Sequence, residues 1–170
     1  MTSHPRGYTV DFAVEVDDAP DDQSRLREAV SNILEDSEYQ SAQISVAIVD
    51  DSTIHDLNRR YLEHDYPTDV LSFVLADDQG HLEGQLVVSL DTATAQASEY
   101  GWSREDELLL YVVHGTLHLV GYDDATPDDR AEMRGQETRV LKRFGLAPRY
   151  DEPAPPTAMP TNGVDEKERT

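Results

Sequence analysis

The chain has 170 residues, with 35 acidic against 14 basic side chains, a formal net charge of -21 and no cysteine. Such a length suits one domain with a real core, and the lack of thiols excludes disulfides, cysteine-based zinc sites and thiol catalysis, so any metal must be held by histidine and carboxylate. The acidic balance argues against a broad basic footprint for nucleic acid and implies a strongly solvated surface whose self-repulsion salt would screen.

The opening "MTSHPRGYTV" has no apolar core of the kind a signal peptide needs, and no run approaches the roughly 18 apolar residues of a membrane span, so a cytoplasmic protein is expected. In "YTVDFAVEV", residues 8–16, Val10, Phe12, Val14 and Val16 alternate as in a half-buried strand. "APDDQSRLREAVSNILED" shifts to helical period, with Leu26, Ala29, Val30, Ile33 and Leu34 on one stripe. "QISVAIVD" reads as a second strand, apolar on both faces at its centre. "DSTIHDLNRRYLEHD" reads as a helix with Ile54, Leu57, Tyr61 and Leu62 inward. "PTDVLSFVLA" and "QLVVSL" are two more strands, joined by the turn "DDQGHLEG" in a hairpin. The helix "DTATAQASEY" stops at Gly101. Ser103, with Asp106 three residues on, opens the next helix, which runs through Leu109, Leu110, Val113 and Leu117 to Gly121. Thr126, Pro127 and Asp129 cap a last helix ending near Gly145.

The order β-α-β-α-β-β-α-α-α predicts an α+β fold (mixed α/β), with a small four-stranded mixed sheet packed with about five helices. Residues 1–148 form one expected domain. Residues 149–170, with four of the nine prolines and few large apolar groups, form an expected disordered acidic tail.

The chemistry gathers in "VVHGTLHLVGYDD", residues 112–124. Residues i and i+4 share a helical face, so His114 and His118 can offer imidazole nitrogens to one point about 2.0–2.1 Å away, as zinc requires. The helix then breaks at Gly121 and the chain can turn back with an acid. The pattern H-x-x-x-H-x-x-G-x-x-D supplies two nitrogens and an oxygen, and leaves a fourth position for water. Asp123 competes with Asp124 as third ligand. Spacing admits both, while the metzincin pattern, whose third ligand falls three after the glycine, favours Asp124. Metalloproteases place a glutamate beside the first histidine as general base; Gly115 stands there, which weighs against proteolysis by a metzincin-like peptidase.

"HGTLHLVGYDD" closely resembles the H-G-x-L-H-L-x-G-Y-D-H signature of the YbeY endoribonuclease (rRNA maturation factor) family. "LNRRYLEHDYPTDVLSF", residues 57–73, is similar to that family's L-N-x-x-Y-R-x-x-D-x-P-T-D-V-L-S-F. With the matching element order, the resemblance covers roughly residues 8–146. It implies a metal-dependent, single-strand-specific endoribonuclease acting on the 3′ end of small-subunit rRNA and in ribosome quality control. It implies one zinc ion per chain on His114, His118 and Asp124, and single-stranded RNA, the small ribosomal subunit or assembly proteins as partners, with no membrane.

Three positions depart from the family pattern. Its third histidine is Asp124 here, a competent oxygen ligand whose charge shifts preference somewhat toward manganese or magnesium. The arginine after the tyrosine is Leu62, leaving Arg59 and Arg60 nearby as candidates to meet a phosphate, although on a helix neither points in the direction of position 62. The common G-D-I before the fourth strand is Gly84-Gln85-Leu86, which removes a carboxylate that could support a metal ligand. Asp123 is a candidate base or ligand-orienting group. Thr68, Asp69 and Ser72 are read as structural, and Trp102 and Tyr122 as helix-end packing. With the arginine lost, an assembly factor whose metal is structural is the main alternative to a nuclease.

Overall fold

A computed structural model describes residues 7–63 and 68–148. The expectations for the first six residues, for Tyr66 and Pro67, and for the tail from 149 onward lie outside the described residues. Nine elements follow in the expected order: β1 (Gly7–Val14), α1 (Ser24–Glu35), β2 (Ser41–Val49), α2 (Asp51–Leu62), β3 (Val70–Asp78), β4 (His81–Ser89), α3 (Leu90–Tyr100), α4 (Arg104–Leu119) and α5 (Pro127–Lys142).

The sheet runs β1-β2-β4-β3, with β1, β2 and β4 parallel and β3 antiparallel to β4 at the edge. It is the expected four-stranded mixed sheet. The β3–β4 turn is shorter than the sequence suggests: only Gln79 and Gly80 separate the strands. Both have positive φ, 52° and 84°, as the right-handed twist of a two-residue hairpin demands.

Alternation sorts the strands between two cores. Ala42, Ile44, Val46 and Ile48 of β2, with Leu82, Leu86 and Val88 of β4, join the main core formed with α1, α3, α4 and α5. Ala47, Val49, Leu71 and Val87 face the other way, into a small cluster capped by Ile54 of α2. In β1 the expected parity holds for Val10, which is buried, and Phe12, which packs against the core beneath the Arg27 guanidinium at 5.0 Å. Val14 emerges into solvent where the strand ends.

The expected inward stripe of α2 is correct at its start and wrong at its end. Ile54 and Asn58 are buried, but Tyr61 is 63% and Leu62 40% exposed. The small cluster under α2 is too short to reach the last turn. Tyr61 meets Phe73 edge to face at 6.2 Å and otherwise stands clear.

Capping follows the sequence signals. Ser103 accepts from the Asp106 amide, Thr126 from Asp129 and Asp50 from Thr53. Pro127 supplies the preset φ at the start of α5. The central helix is α4, buried from Glu107 to Leu119 at almost every position, so its stripe is wider than one face. It lies close on β3 and β4 at two glycines. A Cβ on Gly115 would sit 2.8 Å from Leu86 and 3.0 Å from Val70, and one on Gly84 would sit 2.9 Å from Leu119. Glycine at both positions lets helix and sheet touch, which fixes the depth and rotation of α4 and so the direction of His114.

Candidate metal centre

The C-terminal half of α4 carries both histidines, one turn apart, flanking the side on which Gly115 meets β3 and β4. Their rings are 4.8 Å apart between centroids and meet edge-on, at 80°. The helix ends in a Schellman turn: the Tyr122 amide bonds to the Leu117 carbonyl at 3.0 Å and the Gly121 amide to His118 at 3.1 Å. Gly121 holds φ 113°, a conformation open to glycine and strained for other residues. The turn sends the chain back beneath the histidines. The Asp124 amide then bonds to the Asp123 carboxylate at 2.8 Å, and Arg130 of α5 donates to the Asp124 carbonyl at 3.3 Å.

These constraints bring three side chains together. Oδ2 of Asp124 lies 3.6 Å from Nε2 of His114 and 3.5 Å from Nε2 of His118. One donor atom from each of the three residues falls within 4.8 Å of the others. Among the described residues, buried Nε2 of His118 has no well-formed hydrogen bond, since the Asp124 carboxylate stands at 3.5 Å. An unsatisfied buried nitrogen is costly, and a cation is the species that would satisfy both imidazoles and the carboxylate at once. Tetrahedral bonds of 2.0–2.1 Å separate neighbouring ligand atoms by about 3.3–3.4 Å, close to the 3.6 and 3.5 Å between Asp124 and the two imidazoles. The cluster could therefore hold a metal ion. The carbonyl end of α4 adds partial negative charge beside it.

Burial pushes the Asp124 carboxyl upward, but the facing imidazoles of His118 and His114 outweigh it and hold the group below the usual carboxylate range. Asp124 is thus an anion at neutral pH, ready to face a cation. Asp123 is exposed, with its carboxylate turned onto the next amide. Among the described residues it is not grouped with the two histidines.

Arg59 and Arg60 are both engaged with Asp56 on the exposed side of α2, at 2.6 and 3.2 Å. Gln85 is not a neighbour of the ligands: Gly84 and Leu86 face α4, so alternation turns position 85 to the opposite face of the sheet. The lost carboxylate of the family pattern is therefore no loss to the metal-facing side. The Ser72 hydroxyl donates to the Gly115 carbonyl at 3.0 Å, and Asp69 accepts from the Val70 amide at 2.8 Å, both structural uses. Trp102 and Tyr122 pack partly buried on the main core. The glutamate of a peptidase has no room at position 115, where even a methyl group collides with Leu86.

One neighbour escaped the sequence reading. Glu137 of α5 is 3% exposed, with Oε2 2.5 Å from Nδ1 of His114. Its signal was an acid inside the inward stripe Met133, Val140 and Leu141. Beyond the 120–123 turn a cleft of about 650 Å³ opens, bordered by Asp36, Glu38, Asp77, Asp129 and Glu132. Its arginine, Arg139, is paired with Asp36 at 2.9 Å.

The family model described as Endoribonuclease YbeY matches residues 12–145. An Endoribonuclease YbeY of Rhodopirellula baltica is 51% identical over 105 residues, 61% of this chain and 54% of that protein. The chain thus spans about half the length of that relative. An Endoribonuclease YbeY of Bacillus cereus is 36% identical over 150 residues, 81% of this chain and 96% of that protein. The solution structure of TM1509 from Thermotoga maritima superposes with a TM-score of 0.56 at 25% identity, covering 81% of this chain and 91% of the other. With four-fifths of its length matched by the family model and a metal-competent cluster on the signature helix, the chain belongs to the YbeY endoribonuclease family.

Proposed function

We propose that the chain is a metal-dependent endoribonuclease that hydrolyses phosphodiesters of single-stranded RNA, acting in rRNA processing at the 3′ end of the small-subunit rRNA and in ribosome maturation. The observation that carries this reading is the convergence of His114, His118 and Asp124 within 4.8 Å in a chain of this family. These three residues would hold one divalent ion per chain. Zinc suits two imidazoles and a carboxylate, and the carboxylate also widens the site toward manganese or magnesium. When bound, the ion supplies Lewis acidity toward a phosphoryl oxygen and lowers the pKa of water toward about 7.

The protein's own side chains do the remaining work. Asp124 and the two imidazoles would fix the position of the ion. Gly115 stands where the peptidase motif places its glutamate, so the base of that motif is missing. Arg130, bonded to the Asp124 carbonyl, brings a guanidinium to the same loop, while Arg59 and Arg60 are turned onto Asp56. The acid-lined cleft repels an RNA backbone, so the strand approaches the histidines from another side. With a net charge of -21, docking on ribosomal or assembly proteins would supply what the surface cannot. No helix among the described residues is long and apolar enough to cross a membrane, and a cysteine-free partner of the ribosome belongs in the cytoplasm.

Cleavage of a labelled single-stranded RNA tests this, with metal-stripped protein and His114→Ala beside the wild type and an RNA duplex as control. Loss of cutting in both, with return on adding metal to the wild type, is expected. Equal cutting by all three rejects the assignment. Leu62 at the arginine position favours a second reading, an assembly factor whose metal is structural. On that reading pure protein cuts nothing and metal removal lowers its melting temperature.

A further inference from the structure

Glu137 occupies a core position of α5, one turn from Met133 and beside Val140 and Leu141, yet carries a carboxyl group at 3% exposure. A carboxylate taken out of water costs several kcal/mol unless something in the fold compensates it. One compensating group is His114, whose Nδ1 stands 2.5 Å from Oε2. The other nitrogen of the same ring, Nε2, faces Asp124 at 3.6 Å. The imidazole is therefore held between two acids, one on the core side and one at the cluster.

A neutral His114 that donates to this carboxylate oxygen carries its proton on Nδ1. That leaves the lone pair of Nε2 directed at the cluster. A packing residue would do none of this: leucine would fill the space and leave the tautomer and ring plane undetermined. Glu137 lies behind the ring and does not reach the atoms that face Asp124, so its role is to position and not to react.

We infer that Glu137 is the positioning residue for His114, fixing the Nδ1–H tautomer and ring orientation that present Nε2 to a divalent cation; the inference rests on the metal-centre reading above. The contact joins α5 to α4, so the last helix, far along the chain from the histidine, becomes part of the centre.

The first measurement needs no variant. A long-range 1H–15N spectrum of the metal-free full-length chain, at mildly alkaline pH, reports which nitrogen of each histidine carries the proton, with His114 assigned by its loss in His114→Ala. The expected signature is Nδ1–H with a bare Nε2. A predominant Nε2–H form overturns the inference. Zinc affinity is then read by competition with a chromophoric chelator. Glu137→Ala is expected to weaken zinc binding about 10- to 100-fold, while Glu137→Gln, whose amide oxygen still accepts from Nδ1, stays closer to the wild type. A folded Glu137→Ala protein with unchanged zinc affinity overturns the inference. A wild-type chain that takes up no zinc yet shows the Nδ1–H tautomer supports the positioning role and counts against the metal reading alone.

Discussion

The Ser72 hydroxyl donates to the backbone carbonyl of Gly115 at 3.0 Å, a bond from the edge strand to α4. It forms because position 115 has no side chain. A methyl there would lie 3.1 Å from that hydroxyl as well as 2.8 Å from Leu86. Gly115→Ala gains roughly 1 kcal/mol of helix propensity but incurs about 1–3 kcal/mol of overpacking. A net loss of stability of the order of 1 kcal/mol is expected, seen as a lower melting temperature. Gly84→Ala meets only the flexible end of Leu119 and should be milder. Gly115→Glu should unfold the chain before it makes a peptidase.

Asp124 stands where the family pattern has histidine. Asp124→His should retain metal, with the preference moved toward zinc. Asp124→Ala should weaken binding by more than the roughly 10- to 100-fold loss typical of outer partners. Elemental analysis of the purified proteins, with chelator competition, decides this. Equal metal content in wild type and Asp124→Ala would exclude the residue as a ligand.

Asp51 ties the start of α2 to the start of α3. Its Oδ1 accepts from the hydroxyls of Ser89 at 2.5 Å and Thr92 at 2.8 Å. Ser89 is fully buried. Asp51→Ala should cost about 1–3 kcal/mol by depriving these hydroxyls of their acceptor. Asp51→Asn, which keeps an oxygen there, should recover much of the loss in urea unfolding.

Tyr39 lines the acidic cleft and donates to Asp77 at 2.8 Å. Burial, followed by that hydrogen bond and the nearby carboxylates, pushes its phenol up to about 12. A raised pKa means the folded state holds the proton more tightly than the unfolded chain does. The contribution is therefore present below about pH 10 and is lost as pH rises toward 12. Ultraviolet titration of wild type against Tyr39→Phe should show one late tyrosine, and Asp77→Asn should bring it earlier. A phenol titrating near 10 in the wild type would contradict the structure.

The surplus of 21 negative charges predicts that salt at about 1–2 M raises the melting temperature by screening self-repulsion. A flat or falling melting temperature between low and molar potassium chloride would count against that view of the surface.

Most of the centre was legible because helices impose a period. The four-residue spacing of His114 and His118, and the glycine that had to end their helix, place two donors from local geometry alone. Asp124 was harder, since Asp123 has the same chemistry one position away. The Schellman turn and the Arg130 contact decide which carboxylate comes back to the histidines. Glu137 showed only as an acid within an apolar stripe, because its contact with His114 lies 23 residues away and the packing of α5 on α4 makes it. The misread end of α2 shows the converse. Tyr61 and Leu62 continue an apolar stripe, but period says which residues share a side and not how far the core beneath extends.

Leu117 and His118 close the end of α4 through the amides of Tyr122 and Gly121, so the third donor is tethered to the turn that carries the second. Unwinding of that one turn would release two donors together. An ion held there would exchange at the pace of helix-end fraying, and not by letting go of its ligands one at a time.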